Sequence, residues 1–225
     1  MEKYWQWLCS FLFAEPGLEH KLKERYRTPK AVFEAKEKEL LEAFPSNRVS
    51  LSRLCSMRKT WDFEKEEDRL ARLEIRFVSI EHPSYPSGLR EITDAPCGLF
   101  FRGRLPSEQL PSIAIVGARN CSIYGRNVSR WFAAELASSG VQVISGLARG
   151  IDGSSHRGAL EAGGKTFGIL GGGVDVCYPE ENRDIYMEME KRGGLISGSP
   201  LGVRPVPHLF PLRNRILSGL SVAVL

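Results

Sequence analysis

The sequence predicts an α/β fold, a doubly wound and mostly parallel sheet preceded by a small all-α region. Short apolar runs begin near residues 113, 141, 165, 195 and 222, at nearly even intervals. Helical patterns fill the gaps, at about 124–138, 154–162, 180–192 and 214–220. Strands that alternate with crossover helices make a parallel sheet with helices packed on it. Residues 1 to about 72 show helical spacing alone, so the expected division is a helical region over 1–72 and a sheet region over 73–225.

In chain order, Trp5, Leu8, Phe11 and Leu12 recur at helical spacing, and Pro16-Gly17 closes that element. A second helix is expected from Leu18 to Tyr26, and a third from Lys30 to Phe44, closed by Pro45-Ser46-Asn47. Ser50 is placed to cap a fourth, and Trp61 to Leu73 is charged with one apolar face. Ile75–Ile80 and Gly98–Gly103 read as short strands at the edge of the sheet, with a turn-rich stretch from His82 to Gly88 between them. Gly140, Gly163-Gly164 and Gly193-Gly194 follow the later helices where the chain must reverse.

In a doubly wound sheet the ligand lies beyond the carboxyl ends of the strands. Ile113–Val116 opens into Gly117-Ala118-Arg119, and the next helix begins near Tyr124-Gly125. Val141–Ile144 leads to Ser145-Gly146-Leu147-Ala148-Arg149-Gly150-Ile151-Asp152. Thr166–Leu170 leads to Gly171-Gly172-Gly173, then Asp175 and Tyr178-Pro179. Leu195-Ile196 opens into a long loop ending at Arg213-Asn214-Arg215, where a helix start is expected. Bare amides and guanidinium forks gathered on one sheet edge point to an anionic ligand. A dinucleotide fingerprint would need glycines at 117, 119 and 122, and the chain has Gly117, Arg119 and Ser122, so the nicotinamide and flavin readings lose their support.

Single residues admit other roles. Gly171-Gly172-Gly173 also fits a plain turn. Asp152 suits a helix start, Asp175 a loop tie, and His156 core packing or a solvated position. Tyr178 fits either base stacking or a turn out of the sheet. The sequence holds no nucleophile elbow, no nucleotide-binding lysine loop and no paired zinc histidines.

Composition adds a weak lean. The chain has 225 residues, 42% hydrophobic content and a net charge of +4. From residue 76 onward, 14 of 16 basic residues are arginine, the better choice for planar phosphate contacts. The five cysteines form no C-x-x-C pair, which argues against a disulfide framework or a zinc site. No run reaches the roughly 18 apolar residues of a membrane span. The reading is a soluble, cytoplasmic protein with no cofactor, no metal and no membrane contact.

The residues just quoted, with Tyr85-Pro86-Ser87-Gly88-Leu89-Arg90, Leu99–Gly103, Val174–Pro179 and Phe210–Ile216, resemble the DNA-processing protein A (DprA/Smf) family over roughly residues 76 to 225. The resemblance implies an extended Rossmann-like fold, with residues 1–72 in the place of that family's sterile-alpha-motif-like domain. It implies a homodimer, not an enzyme, that binds single-stranded DNA and loads the RecA recombinase in natural transformation. The expected DNA-phosphate set is Gly117, Ala118, Arg119, Tyr124, Gly125, Gly146, Arg149, Gly150, Gly171, Gly172, Arg213, Asn214 and Arg215, with Tyr178 available for stacking. Some positions depart from the family pattern. Ala118 stands where serine is usual, Glu180 where some members place lysine, and Ser199-Pro200 where a Glu-Tyr pair is common. Leu209 separates His208 from Phe210, and the chain stops at Leu225 inside a strand, as a fragment or a truncated protein would. The competing reading is a nucleoside-phosphate enzyme that cleaves an N-glycosidic bond, with Asp152 or Asp175 as its acid/base group.

Overall fold

A computed structural model describes all residues, 1–225. Six helices come first: α1 (Glu2–Leu12), α2 (Pro16–Tyr26), α3 (Pro29–Glu34), α4 (Glu37–Ala43), α5 (Arg48–Arg58) and α6 (Phe63–Arg72). Their starts follow local chemistry. Proline opens α2 and α3, where its missing N–H costs nothing. Thr28 accepts from the Ala31 amide at 3.1 Å, and Asp62 accepts from the Glu64 and Lys65 amides, both at 3.1 Å. One expectation is corrected here: the helix expected over 30–44 is two helices, because Ala35 and Lys36 are extended. The carbonyls freed at that break have a partner in Arg58, whose Nη1 donates to Phe33 O at 2.6 Å and Ala35 O at 2.7 Å. Trp5, Trp7, Leu8, Leu12 and Leu22 fill the interior of this bundle.

The sheet has seven strands: β1 (Arg76–Ser79), β2 (Gly98–Gly103), β3 (Ser112–Ala114), β4 (Gln142–Ser145), β5 (Thr166–Ile169), β6 (Gly194–Ser197) and β7 (Ala223–Val224). Their order is β1-β2-β6-β5-β4-β3-β7. β1–β2 and β2–β6 are antiparallel, and the remaining pairs are parallel. Every residue of β4, β5 and β6 is buried, as expected of central strands covered on both faces. The crossovers are α8 (Ile123–Ser138), α9 (Ile151–Glu161), α10 (Arg183–Arg192) and α11 (Leu209–Gly219), with a short α7 (Ser87–Arg90) packed on α11. Helices lie on both faces, so the doubly wound α/β sheet expected from the strand periodicity is observed, and with it the Rossmann-like architecture that the family resemblance implies.

α11 begins five residues earlier than the periodicity indicated. Pro211 falls in its first turn, where amides have no helical partner, so it does not stop the helix. Arg213 and Arg215 therefore lie inside the helix, not at its start.

The helical bundle is joined to the sheet by chemistry the cysteine spacing did not show. Cys9 of α1 and Cys97, just before β2, are disulfide-bonded with their Cα atoms 6.0 Å apart, which corrects the expectation of no disulfide. The partners are 88 residues apart in sequence, so no local pattern could pair them. Beside this link the Glu2 carboxylate accepts from the amide and hydroxyl of Ser79 on β1, at 2.5 and 2.8 Å. Glu19 is buried at the same junction, and burial pushes its carboxyl up to about 7 against the pull of Arg215 and Lys23. No helix is long and apolar enough to cross a membrane.

Candidate nucleic-acid interface

A cleft of about 220 Å³ opens over the carboxyl ends of β3, β4 and β5. Its wall is Arg119 and Asn120 after β3, Gly146, Ala148 and Arg149 after β4, and Gly171 and Gly172 after β5. Tyr178, Pro179, Pro205 and Phe210 close the far side. Three strand ends thus contribute to one concavity, as the position of a ligand on an open α/β sheet requires.

The cleft exists because two buried charges hold its loops together. Arg213 is 7% exposed and its Nη1 donates to Gly146 O at 2.8 Å and also to Ile169 O, so it ties the ends of β4 and β5 to α11. Asp152, 5% exposed, accepts from the Ala148 amide at 3.4 Å and is held by the backbones of Gly117 and Gly146 as well. Burial raises the Asp152 carboxyl against Arg213 and these amides, and burial lowers the Arg213 guanidinium against Asp152. Gly146 lies between them, and a Cβ there would overlap both the guanidinium and the carboxylate. Gly150 is the second enforced glycine: its φ is +76°, and a Cβ would meet the carbonyls of Ala118 and Arg119. That close approach presses the loop after β4 onto the loop after β3. His156 sits at the same depth, fully buried, with Nδ1 2.7 Å from Thr166 Oγ1 and Nε2 without a partner. Burial, then the Arg213 charge, lower its pKa from the usual 6.5 to about 3, so it is a neutral packing group.

Above this floor the exposed side chains differ in what occupies them. The Arg119 guanidinium rests over the Phe210 ring, 4.7 Å from its centroid, and has no carboxylate partner. Tyr178 is half exposed with its ring centroid 6.5 Å from that of Phe210, and both rings line the cleft. Arg149 lines the cleft and is ion-paired with Glu181.

Of the residues singled out from the sequence, Arg119, Gly146, Arg149, Gly171, Gly172 and Tyr178 converge on the cleft. Gly117, Ala118 and Gly150 belong to the loops after β3 and β4 but are not among the residues that line it. Tyr124 and Gly125 lie in the first turn of α8, where the Gly125 amide is taken by the Ser122 hydroxyl at 3.1 Å and Tyr124 is largely exposed. Arg213 is the clamp beneath, and Asn214 accepts from its Nε at 3.1 Å. Arg215 turns to the other side of α11, where it pairs with Asp94 at 3.2 Å. Sequence reasoning passed over Asn120 and Phe210. Phe210 opens the motif that ends in Arg215, and its aromatic ring beside an arginine-lined cleft was the available signal.

Residues 76–225 match the family described as DNA recombination-mediator protein A. Protein Smf of Escherichia coli is 42% identical over 142 residues, 63% of this chain and 38% of that one. DNA processing protein DprA of Bacillus subtilis is 39% identical over 152 residues, 67% of this chain and 51% of that one. The chain spans about two-fifths to one half of these relatives' lengths. Among solved structures, DprA from Streptococcus pneumoniae superposes with a TM-score of 0.77 at 28% identity, over 100% of this chain and 77% of that one. DNA processing protein A from Helicobacter pylori, whose structure describes its single-stranded DNA binding mode, gives a TM-score of 0.59 at 25% identity over 67% of each chain. A family match over residues 76–225, on a fold whose strand ends meet in an arginine-lined cleft, has one consequence: the chain belongs to the DNA recombination-mediator protein A family.

Proposed function

We propose that the cleft binds single-stranded DNA by its phosphates and that the protein acts as a recombination mediator. One observation carries this reading: Arg119 stands in the cleft with no carboxylate on its guanidinium, facing the glycine loops after β4 and β5. A phosphate there meets a charged fork on one side and loop backbone on the other. Phe210 and Tyr178 provide stacking faces that tolerate any base. Loading of the RecA recombinase and homodimerisation enter this reading through the family resemblance, and no residue is assigned to either. The division into a helical domain over 1–72 and a DNA-binding domain over 73–225 belongs to it as well. Anisotropy titration of labelled single and double strands over a salt series tests it. Preferential binding of the single strand, with affinity falling as salt rises, is expected; equal binding of both forms would overturn it.

The N-glycosidase alternative needs a carboxylate at the phosphate seat. Neither candidate lines the cleft: Asp152 is committed to the buried clamp, and Asp175 accepts from the Gly202 amide at 2.8 Å and faces Arg69 at 3.8 Å. Asp175 plays the loop-tying role expected of it, whereas Asp152 lies in the first turn of α9, which begins at Ile151 with Gly150 as its cap, so it clamps loops instead of capping the helix. Incubation with nucleoside monophosphates is expected to release no free base.

A further inference from the structure

We propose that Glu181 is an intramolecular competitor of the ligand, a carboxylate latch that holds Arg149 out of use until a phosphate displaces it. This rests on the reading of the cleft as a phosphate site. Two cleft arginines on neighbouring loops are in opposite states. Arg119 lies on an aromatic ring and is open to an anion. Arg149 donates from Nη2 to Glu181 Oε1, with the two side chains 62% and 58% exposed.

This pair is no chance meeting of two surface chains. Glu181 belongs to the short turn Glu180–Asn182, directly after the cleft residue Pro179. The next residue, Asn182, is buried, and its Nδ2 donates to Leu147 O and Ala148 O, both at 3.1 Å. Those carbonyls belong to the loop that carries Arg149. The backbones bearing the acid and the base are therefore pinned to each other, which keeps the carboxylate at high local concentration beside the guanidinium. Next to it, Glu180 pairs with Arg183 through Nε at 2.5 Å and Nη2 at 3.2 Å. The turn after Pro179 thus carries two carboxylates, one holding the cleft's Arg149 and the other Arg183 of α10.

Because the pair is exposed, it is weak enough for a phosphate to exchange with it. A bound strand engages Arg119 first, and gains Arg149 only by leaving Glu181 uncompensated beside its own negative charge. Glu181 therefore lowers affinity and speeds release, which suits a protein that hands its strand to a partner.

The test uses the full chain, a labelled oligothymidylate and, in parallel, tripolyphosphate as a base-free anion. Glu181→Gln is expected to bind the strand about two- to fivefold more tightly than the parent, the range that an exposed ion pair represents. In an Arg149→Ala background the same substitution is expected to gain nothing. A parent-like affinity for Glu181→Gln, or an equal gain with and without Arg149, would overturn the latch, the second outcome marking a general charge effect. Tighter tripolyphosphate binding by Glu181→Gln, with no strand binding by any variant, keeps the latch and removes the DNA reading. Loss of strand binding in Arg119→Ala without any gain in Glu181→Gln does the reverse.

Discussion

Arg119 and Arg213 sit within one site and do opposite things. Arg213 is buried and turns its donors on the carbonyls of Gly146 and Ile169, so its charge is already committed to Asp152 and to strand ends. Arg119 is exposed and leans on Phe210, so its fork is available. A guanidinium under the floor builds the seat, and one on the wall fills it. The contrast teaches that an arginine near the proposed phosphate site is defined by what already occupies its donors, and it yields separable effects.

The largest effect belongs to the floor. Arg213→Leu leaves Asp152 buried without its countercharge and two carbonyls without a donor. Chemical denaturation is expected to show a loss of about 3–5 kcal/mol, the usual range for breaking a buried pair from one side. If the variant unfolds at the parent's midpoint, the clamp is misassigned.

The floor also carries an acid signature. His156 titrates near 6.5 when unfolded and near 3 when folded, so the unfolded state takes up the proton first. Its contribution is present above pH 6.5 and is lost as pH falls toward 3, at up to about 1.4 kcal/mol per pH unit. Glu19 runs the other way, since a carboxyl raised to about 7 stabilises the fold in acid and loses that contribution as pH rises. Urea midpoints of the parent and His156→Asn between pH 5 and 8 isolate the histidine. The gap between them is expected to narrow on acidification, and a constant gap would count against the buried neutral ring.

On the wall, effects move from stability to binding. Arg149→Ala is expected to weaken strand binding only a few fold, because Glu181 already shares that guanidinium. Its unfolding midpoint should match the parent, since exposed changes of this kind usually stay within about 0.5 kcal/mol. A loss as large as that from removing Arg119 would erase the proposed difference between the two wall arginines.

Much of this was legible in the chain. Even spacing of apolar runs located the parallel strands, and the glycines and arginines after them located the cleft edge. The role of Arg213 was not read, because it depends on where α11 begins. With the start at Leu209, positions 209, 213, 216, 217 and 220 form one buried stripe, and Arg213 falls on it. The apolar members of that stripe were visible, but a charged residue within it looked like an end of the helix. The break at Ala35-Lys36 and the Cys9–Cys97 bond were beyond sequence reading for a different reason. Each depends on a partner far along the chain, Arg58 in one case and a cysteine 88 residues away in the other.

The most direct measurement is single-strand affinity against salt for the parent and Arg119→Ala, with both proteins first shown to unfold at the same denaturant concentration. Removing one wall guanidinium is expected to cut affinity about tenfold and to reduce the slope of log affinity on log salt by about one. Superimposable salt plots for the two proteins would contradict the assignment of Arg119 as the open phosphate seat.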